Sequence, residues 1–291
     1  MLKPIWTYKL RRAKFLNFAS IFIFTFNTKH IKKLFKKFFK IPIKERTIKK
    51  QFDLIYSHFR QRFNLDYAFD VNVIYYLNNK PAILNKFELW KIVIQEFGDI
   101  LRSLQPKSIL EIGSGTGKNI LSLAAMLDID KCVGLDLAEN GVRLSKELTN
   151  DPPLDFLGYV TMIDKEKIRE KLKNTRIEFV QGDMRDLSMF PDNSFDVVFS
   201  YAAIELISQD YDQVFKEVYR VTKKYAVFYE GFNEYNSIIQ QIYRRRKNYF
   251  MGDSSDVSKA GFKLINFYMP KVSGVKTNNS FLIAMKRPAD S

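Results

Sequence analysis

The sequence predicts a doubly wound α/β domain with a mostly parallel sheet, preceded by an α-helical N-terminal extension. Three observations carry that expectation. From Lys107 onward, segments of strand character alternate with segments of helical character. One of those strands runs straight into a glycine-rich turn and then a helix, the arrangement that brings backbone N–H groups to a ligand. The positive charge sits almost wholly at one end of the chain.

Composition narrows the function classes. With 291 residues and 46% apolar side chains, a sizeable core can be buried. A single cysteine, Cys132, excludes a disulfide framework and a multi-cysteine zinc site. Two histidines, His30 and His58, give no basis for a histidine metal centre or a serine–histidine triad, so no metal is expected.

Residues 1–60 hold 16 Lys/Arg against Glu45 and Asp53, so +14 of the net +15 lies there. A near-neutral body with a basic arm points to an anionic surface, membrane or nucleic acid, met by one end of the chain. Lysine-rich genomic usage is the competing explanation, and it accounts for a lysine-rich protein better than for a lysine-rich end. Residues 15–28 (FLNFASIFIFTFNT) are uncharged and follow basic residues, as in a signal peptide. No small-x-small cleavage site follows, and the stretch falls short of the ~20 apolar residues that span a bilayer.

The arm's next segment, residues 30–41 (HIKKLFKKFFKI), places Ile31, Leu34, Phe35, Phe38, Phe39 and Ile41 on one helical arc. Lys32, Lys33, Lys36, Lys37 and Lys40 take the opposite arc, and Pro42 stops the helix. This describes a helix lying in a membrane interface through residues 29–41. Packing on the body and nucleic-acid binding are the alternatives. Two more amphipathic helices are read at Glu45–Arg62 (Ile48, Phe52, Ile55, Phe59) and at Pro81–Leu104, the latter closed by Pro106. The organisation expected is an extension over 1–80 and a second domain over 81–291.

The strand SILEI (108–112) leads into Gly113-Ser-Gly-Thr-Gly117 and the helical KNILSLAAML. The dinucleotide fingerprint G-x-G-x-x-G is not met, because the sixth position is Lys118. Glu111, two residues before the first glycine, would repel a pyrophosphate and suit a ligand carrying an ammonium and a sulfonium. The turn E-I-G-S-G-T-G resembles motif I of class I S-adenosylmethionine-dependent methyltransferases. Further segments follow in that family's order: KCVGLDL (131–137), RIEFVQGDM (176–184), PDNSFDVVFSYAAIEL (191–206), DQVFKEVYRVTKKYAVFYE (212–230), then FKLINFYM and NSFLIAMKR.

The resemblance spans about residues 105–287 and implies a seven-stranded, mostly parallel sheet with the last strand antiparallel. It implies S-adenosyl-L-methionine as cofactor. Gly113, Ser114, Gly115 and Gly117 would admit its methionine part, and Glu111 would support the loop or meet the amino group. Asp136, followed by Leu137, would bind the ribose hydroxyls; Asp183 would meet the adenine amino group, with Met184 against the ring. Ser200 and Tyr201, at the end of the fourth family strand, would line the crevice. The family's histidine base after that strand is missing, and Glu205 stands near its place, as a base or as a helix cap. Tyr201, Glu230 and Tyr235 are weaker candidates on the acceptor rim.

Acceptor classes are partly excluded. The D/N-P-P-Y-like motif of amino-methylating DNA and RNA relatives is replaced by SYAA, and Asp151-Pro-Pro-Leu154, which mimics it, reads as a loop elsewhere. Cys132 begins a strand and is not placed as a cytosine-C5 nucleophile, and no double-glutamate loop of arginine methyltransferases is visible. A small-molecule or lipid-linked acceptor remains, methylated through oxygen, on a cytoplasmic enzyme peripheral at the inner face of the membrane. The alternatives are an RNA methyltransferase using its basic arm and a silent cofactor-binding module. Insertions near 151–175 and 232–260 are read as lids, with Arg244–Lys247 as a solvated helix end.

Overall fold

A computed structural model describes residues 72–78 and 80–287. The helices expected at 30–41 and 45–62, and the uncharged stretch 15–28, lie outside the described residues. Among those described, no helix is long and apolar enough to cross a membrane.

The described chain opens with a hairpin, β1 (Asn72–Leu77) and β2 (Lys80–Asn85), before α1 (Lys86–Leu104). The helix expected from Pro81 therefore starts five residues later, and Leu84 is a strand residue. Tertiary pairing explains the difference: Val73–Leu77 lie opposite Leu84–Lys80, and Tyr75–Leu77 also pair with β9 (Val272–Gly274). Asn85 then caps α1, its side chain accepting from the N–H groups of Phe87 and Glu88. The boundary drawn at residue 80 thus falls inside the hairpin.

The main sheet follows the expected plan. Its strands are β3 (Ser108–Ile112), β4 (Lys131–Asp136), β5 (Arg176–Gln181), β6 (Phe195–Tyr201), β7 (Thr222–Glu230), β8 (Phe262–Tyr268) and β10 (Ser280–Lys286). Their spatial order is β5-β4-β3-β6-β7-β10-β8. The first five are mutually parallel, and β10 runs antiparallel to both β7 and β8. Both sheet faces are covered, which is why β3, β4 and β6 read as near-continuous apolar runs.

The two cores lie on opposite faces. One gathers Trp90, Phe97, Ile120, Leu123, Phe156 and Leu157 from α1, α2 (Lys118–Met126) and α4 (Leu154–Thr161). The other gathers Phe195, Phe215, Phe228, Phe250 and Phe262 around α6 (Tyr211–Val221) and α8 (Ser254–Lys259). Each fully buried phenylalanine contributes roughly 1.5–3 kcal/mol.

The segment 151–175 forms α4 and α5 (Lys165–Asn174), following α3 (Glu139–Asn150). Its Phe156, Leu157, Val160 and Ile168 are core residues, and Phe156 stacks on Trp90 with centroids 5.1 Å apart. These side chains pack into the body of the domain. After β7 come a short turn of helix at Asn233–Tyr235 and α7 (Ile238–Arg246).

Candidate active site

All five parallel strands end at one edge, so the turns after β3, β4, β5, β6 and β7 converge there. The turn after β3 is held down by its neighbour: Gly113 and Ser114 both donate to the Leu135 carbonyl, at 2.7 and 2.9 Å. Gly113 and Gly117 have φ of +74°, a left-handed conformation that glycine adopts without strain. A Cβ on Gly113 would stand 2.3 Å from the Ala203 Cβ, so glycine is required by space as well as by angle. This contact joins the turn after β3 to the turn after β6.

Glu111 is fully buried at the end of β3. One carboxylate oxygen accepts from Asn119 Nδ2 at 2.5 Å, while the Asn119 Oδ1 accepts from Trp90 Nε1 at 2.8 Å. The other oxygen, Oε2, has no partner. Burial pushes this carboxyl up to about 8, against the opposing effects of Asn119 and Lys118. The buried Ser114 hydroxyl is likewise unpartnered. Asn119 was not singled out in the sequence; its only signal is its place in the first turn of the helix after the glycines.

Asp136, at the end of β4, accepts from Gly115 N–H (2.7 Å) and Ala138 N–H (2.8 Å), one bond on each oxygen. It therefore ties the glycine turn to β4 and lies directly beside it. Leu137 follows, half-buried, its carbonyl accepting from Gln181. Met184 lies over the turn, its methyl 3.2 Å from the Cβ position of Gly113.

Asp183 differs from expectation. Both its oxygens are engaged by Arg185, through the backbone N–H (2.9 Å), Nε (3.0 Å) and Nη2 (2.6 Å). Burial alone would raise this carboxyl, but Arg185 holds it below the usual range. It is an ion-paired turn residue whose pairing competes with the adenine contact implied by resemblance. Arg185 gave no sequence signal.

On the other side of the edge lies a second assembly. Glu230, expected on the acceptor rim, is fully buried at the end of β7. Its carboxylate accepts from the N–H groups of Ala203 (2.9 Å), Ile204 (3.1 Å) and Glu205 (3.0 Å). It thereby holds the loop after β6, including Ala202 at a φ of +50°. Burial raises the Glu230 carboxyl, offset in part by these bonds. Ser200 is fully buried beside it.

Glu205 sits on that loop, and its backbone carbonyl accepts from Phe250 N–H at 2.9 Å. Burial and then the neighbouring Glu230 push its side chain up to about 8, while Arg244 acts the other way. Arg244 is fully buried, not part of a solvated cluster. Its Nη2 donates to the Phe250 carbonyl at 2.5 Å, whereas Nε and Nη1 are unpartnered. Burial lowers this guanidinium, with Glu205 and Glu230 opposing.

Tyr201 packs against Phe97 and Tyr229, with centroids 6.0 and 4.9 Å away. Burial, then Tyr229, Tyr75, Glu111 and Glu205, push its phenol far up. It stays neutral and can donate a hydrogen bond, but is not a base. Tyr235 donates to the Phe267 carbonyl at 2.9 Å, so its hydroxyl serves packing. Among the described residues no group of acidic, histidine or cysteine side chains could hold a metal.

An open sheet with a glycine cradle at its edge, an acid after the next strand and a closing antiparallel pair defines a class I, Rossmann-like methyltransferase fold. Comparison agrees. Residues 110–229 match the family model described as a methyltransferase domain. Similar solved structures include magnesium protoporphyrin IX methyltransferase from Synechocystis PCC 6803 with bound S-adenosylhomocysteine. It is 13% identical with a TM-score of 0.54, covering 82% of this chain and 98% of that one. The [4+2]-cyclase SpnF is 14% identical with a TM-score of 0.56, over 82% and 95% of the two chains. A Haloferax volcanii methyltransferase in complex with its Trm112 activator is 12% identical with a TM-score of 0.52, over 81% and 98%. No curated protein matches by sequence.

Residues 110–229 therefore carry a methyltransferase domain, in a fold of the class I S-adenosylmethionine-dependent kind. The residues present fit that cofactor: the unpartnered Glu111 oxygen is an acceptor for an ammonium, and the cradle after β3 admits close backbone approach.

Proposed function

We propose that this methyltransferase acts on an oxygen of a small-molecule or lipid-linked acceptor, with Glu205 taking the acceptor's proton. One observation supports the reading above others. A carboxyl pushed up to about 8 stands on the loop after β6, beside the glycine cradle, and the described residues include no histidine. Such a group is poised to deprotonate a hydroxyl near neutral pH.

When bound, S-adenosylmethionine supplies an already activated methyl carbon. The chain's own residues position, desolvate and move a proton. Glu111, Ser114 and the turn after β3 hold the cofactor's amino-acid end, and Asp136 and Leu137 hold its ribose side, with Met184 above. Glu230 fixes the loop that carries Glu205, and Arg244 keeps the Glu205 carboxylate from climbing further. Tyr201 donates to the acceptor or to Glu205 as a neutral phenol. The basic arm through residues 29–41 holds the enzyme at an anionic membrane surface on the cytoplasmic side.

The test is label transfer from methyl-tritiated cofactor to lipid, small-molecule and RNA fractions by the full chain. Label in a lipid or small-molecule fraction as an alkali-stable ether or a labile ester is expected. Label confined to RNA contradicts the reading. With the acceptor in hand, wild-type kcat should rise with pH through about 8, as the base loses its proton. Glu205→Gln should cost about 100- to 10,000-fold and erase that limb.

A further inference from the structure

Helix α7 is built inside out. Ser237 caps it through a capping box with Gln240, so its start and rotation are fixed. The residues turned toward the body are polar. Gln241 donates to the carbonyls of Asn233 and Asn236 at 3.1 and 2.9 Å. Gln240 reaches those of Gly274 and Val275, and Arg244 is fully buried. The residues turned outward are apolar: Ile238 is 76% exposed, Ile239 77% and Ile242 40%. At about 100° per residue these three share one face with Arg245 and Arg246, and the exposed Lys247 follows.

A folded chain that hydrogen-bonds its glutamines inward and leaves three isoleucines in water does so for a partner. The face carries two cations beside its isoleucines, Arg245 and Arg246, with Lys247 at its end and no acid, so the complementary surface is anionic and apolar. The basic arm is a poor occupant, since its lysines would meet Arg245, Arg246 and Lys247. A patch of three isoleucines is also far smaller than the roughly 800 Å² per partner of a stable protein interface.

We propose that α7 docks on an anionic lipid surface, with Ile238, Ile239 and Ile242 in the interfacial layer and Arg245, Arg246 and Lys247 at the headgroup phosphates. α7 follows the carboxyl end of β7, the edge at which the cradle and Glu205 lie. Docking there turns the acceptor side toward lipid. This deepens the lipid-linked reading of the acceptor, yet it names a part of the chain other than the arm and is tested apart from it.

The experiment places a polarity-sensitive fluorophore on Ile239→Cys in the full chain; the buried Cys132 stays unlabelled. Vesicles are phosphatidylcholine alone or with 30% phosphatidylglycerol. A blue shift on the mixed vesicles, weaker on the neutral ones, is expected. Unlabelled Ile238→Ser/Ile239→Ser protein should need on the order of ten-fold more anionic lipid to co-sediment, with an unchanged circular dichroism spectrum. No shift while the chain still sediments overturns the inference and leaves the arm as the membrane contact. A shift without vesicles that grows with protein concentration overturns it in favour of a second copy. A shift without vesicles that does not depend on concentration overturns it in favour of another segment of the same chain. Methyl transfer to a soluble acceptor alongside a positive shift would instead contradict the lipid-linked acceptor while leaving the docking intact.

Discussion

The half of this edge assigned above to the cofactor and the half assigned to the acceptor are made differently. The cofactor half is a backbone device. A glycine turn is bonded to the adjacent strand, Asp136 stitches the two strand ends together, and Glu111 stands beneath. The acceptor half is a charge device: Glu230 and Arg244 are fully buried, Glu205 is half-buried beside them, and the Glu230 carboxylate holds the loop. A backbone device tolerates few substitutions, and Glu111, pushed up to about 8, is where it responds to pH. The charge device tolerates shape changes and responds to pH.

Substitutions can break or sharpen this contrast. The largest effect is expected at Gly113, where the halves touch. Gly113→Val puts a β-branched residue at a φ of +74° and against Ala203, and should weaken cofactor binding by about 100-fold or more. Calorimetry with the cofactor reads it.

Next comes Glu230. Glu230→Leu leaves two buried N–H groups and one half-buried N–H group unsatisfied, costing roughly 3–6 kcal/mol and lowering the melting temperature by about 10 °C or more. Glu230→Gln keeps an acceptor oxygen and should lose about half as much. Equal melting points for wild type and both variants would show that the loop is not held this way.

The smallest effect is on pH. Arg244 favours the ionised form of Glu205, so Arg244→Met should move the rising limb of kcat to higher pH. Cofactor affinity should stay as in wild type. A limb that stays in place would remove Arg244 from the charge device.

The same contrast governs what the sequence reveals. The cofactor half is legible because its parts lie within one strand–turn–helix and at the tips of buried strands. SILEI and KCVGLD show continuous apolar runs ending in glycines or an acid. The expected strand and helix positions from Ser108 to Lys286 accordingly agree with the structure to within a few residues. The acceptor half is legible only in part: Glu205 and Glu230 can be named, but nothing local says that Glu230 will turn inward beneath the loop at 203–205. Likewise, Arg244 stands in a run of cations, and only the 100° rotation per residue separates it from exposed Arg245 and Arg246.

The apolar-inside rule misleads at α7, where inward hydrogen bonds of Gln240 and Gln241 set the orientation. It misleads again at Pro81–Leu84, where Leu84 and Phe87 continue a helical spacing although strand pairing with β1 claims the segment. Asp183 shows a further limit, since the charge that occupies it comes from Arg185, a neighbour whose side-chain direction no pattern states.

The buried Glu111, with one oxygen unpartnered, and the cradle after β3 together make the cofactor site in this reading. Titration calorimetry of the full chain with S-adenosylmethionine, wild type against Glu111→Gln, tests it most directly. The account predicts micromolar binding by the wild type and a dissociation constant raised about 10- to 100-fold in the variant. Equal affinities, or no binding by a folded wild type, would contradict it.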